Sequence, residues 1–365
     1  MSADRRILTF VLLALLLAAC QPATPLSDSP APATATAVQP GPPTAESLSL
    51  PAWIQIYFTD PAAPAAASYR GGPDEVLAAA IDEARLSVDL AIYSLNLWSV
   101  RDALLRAYRR GVAIRVVTES DNMDSAEIQS LIQAGIPVLG DRRQGLMHHK
   151  FIILDRSQVC TGSMNYTAGS AYRDNNNLVC IRSAAMAENY QREFDEMFVE
   201  DRFGPDSRLD TPHPRLTLDG VEVEVYFSPD DGAAARLIEL IQGAQRSIHF
   251  MAYSFTSDPI GEAMRQQAIF VNLYGVMDEG QAASNTGSEY DVFWNMGLDV
   301  HLDGNSGLMH HKVIIIDQRI VIFGSYNFTD SAETRNDENL VIVHDAAVAA
   351  AFLSEFWRVY QQAAP

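Results

Sequence analysis

The sequence predicts an α/β fold of two similar lobes, each a mixed β-sheet flanked by helices, packed about a pseudo-twofold axis. Three observations predict it. One phrase of unusual composition occurs twice: Met147-His148-His149-Lys150 runs through Asp155 to Gly162-Ser163-Met164-Asn165, and Met309-His310-His311-Lys312 runs through Asp317 to Gly324-Ser325-Tyr326-Asn327. The order of apolar strand-like and helix-like segments around each copy is the same, as expected of an internal repeat. Between the copies, Asp201 to Thr217 contains Gly204, Pro205, Pro212 and Pro214 with few large apolar side chains, a natural hinge. This gives a first lobe over 51–203, a linker over 204–217 and a second lobe over 218–362.

In the first half an apolar strand over 53–58 precedes a helix over 74–85 and a strand over 87–94. In the second half these become 221–227, 233–245 and 247–254. Helical spacing over 100–110 leads into an alternating strand over 112–118, and its counterpart over 260–267 leads into 268–276. Phe151-Ile152-Ile153-Leu154 and Val313-Ile314-Ile315-Ile316 are bulky, partly β-branched runs too short for a helix, so both motifs lie on strands. Each half closes with a strand and a helix: 178–181 then 186–198, and 340–343 then 346–360. Strands alternating with helices imply layers around a largely buried sheet.

The N-terminus speaks to location. Arg5 and Arg6 precede an apolar run from Ile7 to Ala19, a secretory signal over 1–19 that is too short to span a membrane stably. Leu17-Ala18-Ala19-Cys20 resembles a bacterial lipoprotein lipobox, which would make Cys20 the acylated first residue of an exported protein. That protein would be anchored on the outer face of a membrane, periplasmic or at the cell surface. Residues 20–50, rich in Pro, Ala, Thr and Ser, bury too little to order themselves and form a tether.

A hydrophobic fraction of 48% supplies ample core, and the net charge of −20 argues against tight non-specific binding to nucleic acid. Arg142, Arg143 and Lys150 nevertheless cluster where the first motif begins. Cys160 and Cys180 lie in apolar strand-like runs, and their equivalents in the repeat are Ile322 and Ile342. Buried free thiols are therefore expected in preference to a bridge.

Side chains alternate along a strand, so His148 and Lys150 project to one face while His149 and Asp155 face the other. The same count pairs His310 with Lys312, Ser163 with Asn165 and Ser325 with Asn327. Doubled across an interface, these groups suit a phosphodiester. Lysine and asparagine hold the non-bridging oxygens and stabilise the developing charge, one imidazole attacks phosphorus, and the other protonates the leaving oxygen. No cofactor is required. A zinc site is disfavoured, because adjacent histidines point opposite ways and two lysines repel a cation.

Both copies read H-x-K-x4-D-x6-G-S-x-N, and on these residues the chain resembles the phospholipase D superfamily. The resemblance implies a two-lobed fold and a two-step phosphohistidine mechanism without a metal. It also implies an acidic residue downstream of each motif histidine, close enough to hydrogen-bond its ring. Equal intervals from His310 and His148 land on Glu338 and on Asn176, so the first half departs from the pattern. A carboxylate beside His310 would favour its imidazolium, and an amide beside His148 would orient the ring without that stabilisation. His148 is therefore expected to be the nucleophile and His310 the general acid, in agreement with the family's division of labour. Asp155 and Asp317 face away from the cleft and are expected to pin neighbouring groups.

The resulting expectation is a phosphodiesterase that hydrolyses a phospholipid at a membrane surface, releasing phosphatidate and a head group. The partner is the lipid, and the chain is a monomer with an internal pseudo-dimer. Alternatives are a metal-independent nuclease acting on DNA or RNA, a phosphatidyl transferase, and a non-catalytic binding protein.

Overall fold

The computed structural model describes residues 49–363, so the signal expected over 1–19, Cys20 and nearly all of the tether lie outside the described residues. The first lobe contains strands β1 (Ile54–Phe58), β2 (Ser87–Ile92), β3 (Ala113–Thr118), β4 (Val138–Gly140), β5 (Lys150–Leu154), β6 (Gln158–Gly162) and β7 (Asn177–Arg182). Its helices are α1 (Pro73–Glu83), α2 (Trp98–Arg109), α3 (Ala126–Gln133), α4 (Ala168–Tyr172) and α5 (Ala184–Phe198). The second lobe contains β8 (Arg215–Leu218), β9 (Val221–Ser228), β10 (Ser247–Ala252), β11 (Asn272–Met277), β12 (Asp299–Leu302), β13 (Lys312–Ile316), β14 (Ile320–Gly324) and β15 (Glu338–Val343). Its helices are α6 (Ala233–Gln242), α7 (Asp258–Gln267), α8 (Glu279–Ser284), α9 (Tyr290–Asn295), α10 (Asp330–Thr334) and α11 (Ala346–Ala363).

The sheets have one topology. Strand order is β1-β7-β6-β5-β2-β3-β4 in the first lobe and β12-β11-β10-β13-β14-β15-β9-β8 in the second, the same sequence of neighbours with β8 added at one edge. β8 begins at Arg215, within the stretch expected to be linker. In each lobe a helix-connected pair is parallel, β2 with β3 and β10 with β11, and the motif strands β5 and β13 run antiparallel to β2 and β10. Side-chain alternation divides the core accordingly. Phe151 and Ile153 of β5, with Val313 and Ile315 of β13, join one central cluster that includes α5 and α11. Ile152 and Leu154 pack outward under α1, α2 and α3, and Ile314 and Ile316 pack outward under α6 and α7. Both lobes belong to one compact unit sharing that central core.

Two expectations need correction. The apolar run Ala268–Val271 is not strand, because the N–H groups of Ala268, Phe270 and Val271 still bond carbonyls of the last turn of α7, and Ile269 and Phe270 are exposed. Cys160 and Cys180 are not free thiols. They face each other in the register of β6 and β7 and form a disulfide, with Cα atoms 4.0 Å apart. Comparison with Ile322 and Ile342 identified the position as core correctly, but periodicity does not show that two core positions are cross-strand partners.

Candidate active site

Each motif strand starts where the lobes meet. Met147 forms a bridge with Asp337 of the other lobe, and Met309 forms the equivalent bridge with Asn175. The reciprocity is that of an isologous contact, here made within one chain. It brings His148, Lys150, His310 and Lys312 into one cleft, all four buried.

The histidine partners cross between lobes, contrary to the arrangement expected from counting within each half. His148 Nδ1 lies 2.8 Å from Glu338 Oε2, and His310 Nδ1 lies 2.9 Å from Asn176 Oδ1. Glu338 is therefore not beside His310, and Asn176 is not beside His148. The cause is the paired bridges, which set the start of β15 against the first motif and the start of β7 against the second. The Asn176 amide nitrogen donates to the Ser170 carbonyl, which leaves Oδ1 to accept from His310 Nδ1–H. Both rings then carry their proton on Nδ1 and leave Nε2 with a free lone pair, since a carboxylate can likewise only accept.

Neither lysine has a carboxylate partner among the described residues. Lys150 Nζ donates to the His148 carbonyl at 2.7 Å and lies 5.2 Å from the Tyr93 ring centre; Lys312 Nζ donates to the His310 carbonyl at 2.7 Å and lies 4.6 Å from that of Tyr253. Burial pulls Lys150 down to about 7 and Lys312 well below its usual range, with the mutual repulsion of the two ammoniums adding to the second. Burial, then both lysines, hold His148 and His310 well below 6.5. Burial pushes Glu338 up to about 7 against the pull of Lys150. The cleft holds more cationic groups than Glu338 can balance, so a bound anion would offset part of the cost of burying them. Tyr93 and Tyr253 stand edge-on to His148 and His310, with ring centres 5.1 and 4.5 Å apart.

The other motif residues fall into two groups. Asn165 and Asn327 make no side-chain hydrogen bond among the described residues, and their Oδ1 atoms are buried without a partner, so both amides are available to a ligand. Ser163, Ser325, Asp155 and Asp317 are occupied. Ser163 Oγ donates to Asn176 Oδ1 and accepts from the Asn177 amide, while Ser325 Oγ accepts from Asn339. The glycine before each serine permits this approach, because a Cβ on Gly162 or Gly324 would meet the Asn177 or Asn339 carbonyl oxygen at 2.4 or 2.1 Å. Asp155 and Arg156 form a left-handed turn, and the Asp155 carboxylate accepts from the N–H groups of Arg85, Leu86 and Ser87. Asp317 does the same for Gln245, Arg246 and Ser247.

The second histidine of each motif is an anchor. His149 Nε2 lies 2.8 Å from Glu193 on α5 and His311 Nε2 lies 3.0 Å from Glu355 on α11; on their other side, Nδ1 meets the amide of Asn339 and of Asn177. Sequence reasoning missed Glu193 and Glu355, although each follows its histidine by 44 residues, a spacing the repeat could have revealed. One group among the described residues, Glu222, Glu224 and His344, has the proximity of a metal site. Glu224 there already pairs with Arg236 and Arg215, which occupies its oxygens and opposes a cation.

Comparison with known proteins fits this geometry. The chain is 33% identical over 119 residues to the mitochondrial cardiolipin hydrolase of Xenopus tropicalis, covering 32% of this chain and 57% of that protein. It is 32% identical over 136 residues to phospholipase D of Rickettsia prowazekii, covering 37% and 66%. It spans little more than half the length of the cardiolipin hydrolases of Xenopus tropicalis, Xenopus laevis and Homo sapiens. The phosphatidylserine synthase of Haemophilus influenzae shares the fold, with a TM-score of 0.62 over 86% of this chain and 88% of that one at 12% identity. The family description "Cardiolipin synthase, PLD-like domain" matches twice, over residues 77–198 and 237–360, and the chain belongs to the phospholipase D superfamily.

Proposed function

We propose that this chain is an exported phosphodiesterase that hydrolyses a phospholipid to phosphatidate and a free head group through a phosphohistidine on His148. The observation that carries the reading is the convergence of two imidazoles and two buried ammoniums in a cleft whose nearest carboxylate, Glu338, is committed to one imidazole. The crossed partners support the division of roles for a reason opposite to within-half counting. Glu338 fixes the His148 proton on Nδ1 and offsets the positive charge that the ring gains when Nε2 bonds phosphorus. Asn176 orients His310 without stabilising its imidazolium, so a proton on that Nε2 is readily given up.

In the first step His148 Nε2 attacks phosphorus, the bond to the head-group oxygen breaks, and that oxygen takes the proton from His310 Nε2. Lys150, Lys312, Asn165 and Asn327 hold the non-bridging oxygens as charge builds. In the second step His310, now neutral, takes a proton from water, the water oxygen attacks phosphorus, and the bond to His148 breaks. The lipid reading is supported by relatives that are named as a phospholipase D and as cardiolipin hydrolases and by a net charge of −20, which disfavours a polyanionic substrate. Export draws support from the Cys160–Cys180 disulfide, a bond that persists in oxidising compartments. Among the described residues no helix is long and apolar enough to cross a membrane.

The test is to incubate the full chain, in excess chelator, with mixed phospholipids and separately with single- and double-stranded DNA and RNA. Phosphatidate and free head group are expected. Cleavage of nucleic acid with the lipids left intact would replace the lipid reading with a nuclease, and activity that needs added zinc or magnesium would remove the mechanism.

A further inference from the structure

Outside the catalytic cleft, the first lobe holds a cavity of about 560 Å³ bounded by the rings of Tyr69, Trp98 and Tyr172. No residue of either motif lines it, and its size is that of a small-ligand site. Trp98 is 69% and Tyr69 55% exposed, so two large rings that could have added to the core stand at the mouth instead. Tyr69 is held there by a left-handed backbone, φ 54°, which bulky side chains rarely adopt. Its ring meets that of Tyr172 edge-on, with centres 5.5 Å apart.

Two buried carboxylates also line the cavity. Asp74 accepts from the Tyr172 hydroxyl at 2.6 Å and the Ser99 hydroxyl at 2.5 Å, and no Lys, Arg or His pairs with it among the described residues. Glu127 accepts from the Trp98 indole at 3.1 Å; its nearest cation, Arg101, is 3.9 Å away and sits closer to Asp102. Both acids lie in the first turn of a helix, which helps to stabilise their charge. That placement does not explain three rings gathered around them.

We propose that this cavity is an accessory site for a quaternary ammonium group. Aromatic faces attract a cation through the ring quadrupole, and the carboxylates beside them contribute charge. Both Asp74 oxygens and Glu127 Oε1 are already engaged by hydroxyl and indole donors, which leaves one carboxylate oxygen, Glu127 Oε2, to receive an N–H. A primary ammonium entering here would leave N–H groups short of acceptors, whereas a trimethylammonium has no N–H to satisfy. The site also adjoins the cleft. The loop after β2 carries Tyr93 against His148 and, three residues on, Asn96 at the cavity; α4 starts with Ala168 of the cavity wall, three residues after Asn165. At about 3.5 Å per residue, the Cα atoms of Tyr93 and Asn96, and those of Asn165 and Ala168, lie within about 11 Å of each other. A choline-type head group held in the cage would lie beside the cleft without occupying it.

The experiment is calorimetric titration of the full chain with tetramethylammonium chloride, with ammonium chloride as reference, followed by flotation with phosphatidylcholine and with phosphatidylglycerol vesicles. Saturable binding of tetramethylammonium is expected. Trp98→Ala, which removes a largely exposed ring, should weaken it about tenfold or more, Trp98→Phe should restore most of it, and His148→Ala should leave it unchanged. Flotation with phosphatidylcholine that Trp98→Ala abolishes would identify a lipid head group as the source; binding of the free cation without that preference would identify a small soluble one. Absence of saturable binding, or binding that survives Trp98→Ala and is lost in His148→Ala, would overturn the proposal while leaving the phosphodiesterase reading untouched.

Discussion

Glu338→Gln separates the two histidines. The substitution keeps the volume and an oxygen able to accept from His148 Nδ1–H, so the ring stays oriented at the 2.8 Å contact while the charge beneath it is lost. The lower bound on the effect is the difference between a charge-assisted and a neutral hydrogen bond, about 1–1.5 kcal/mol. An upper bound is the attraction between unit charges about 4 Å apart at an effective dielectric of about 20, about 4 kcal/mol. At about 1.4 kcal/mol per decade these correspond to losses between about tenfold and about a thousandfold, and about a hundredfold is expected in the rate of phosphohistidine formation. Single-turnover kinetics should use two substrates, an alkyl phosphodiester and a p-nitrophenyl phosphodiester whose leaving group needs no proton. Because Glu338 supports the nucleophile, the loss should be the same on both. A variant slow on the alkyl ester but of wild-type rate on the nitrophenyl ester would place Glu338 behind the acid and reverse the roles of His148 and His310.

Asn176→Asp puts a carboxylate on His310 and should raise its pKa; since this residue must be protonated to act, the basic limb of the kcat/KM profile should move to higher pH, and movement of the acidic limb would contradict the assignment. Asp155→Asn tolerates the left-handed turn but weakens the acceptor of three N–H groups, and should lower unfolding stability at pH 7 by about 1–3 kcal/mol in a denaturant melt. Burial raises the Asp155 pKa, but the N–H bonds outweigh it and the folded-state value is depressed. The wild-type advantage should therefore be full above the unfolded value of about 3.9 and disappear as pH falls through the folded one; an advantage that persists at lower pH would rule out this account. Cys160→Ser opens a disulfide spanning 20 residues and should lower stability by about 3 kcal/mol, whereas complete alkylation of both cysteines in unreduced, denatured protein would show that no bond exists.

What could be read from the sequence is what periodicity and repetition encode. The α/β class, both motif strands and the facing of His148 with Lys150 follow from alternation in Phe151–Leu154 and Val313–Ile316, and the recurrence of the phrase indicated two lobes. The short elements α3, β4, α8, α9 and β12 were not legible, because segments of a few residues carry too little pattern to separate from loops. The crossed partners were hidden for a different reason. Counting along the chain assigns each acceptor to its own half, whereas the acceptor that reaches His148 arrives through the Met147–Asp337 bridge, a long-range contact with no local signature.

That crossing also bears on why the halves share a chain. In a symmetric dimer of identical lobes both histidines would meet the same residue, so neither ring could be tuned without the other. Here the two positions are Glu338 and Asn176, a carboxylate under one imidazole and an amide under the other, within otherwise matching lysine and asparagine sets. The first-half residue at this position acts on the second-half histidine, so its departure from the acidic pattern does not weaken the first motif. Under the proposed mechanism it removes charge stabilisation from His310, the ring assigned to release a proton, and leaves the carboxylate with His148, the ring assigned to carry positive charge once bonded to phosphorus.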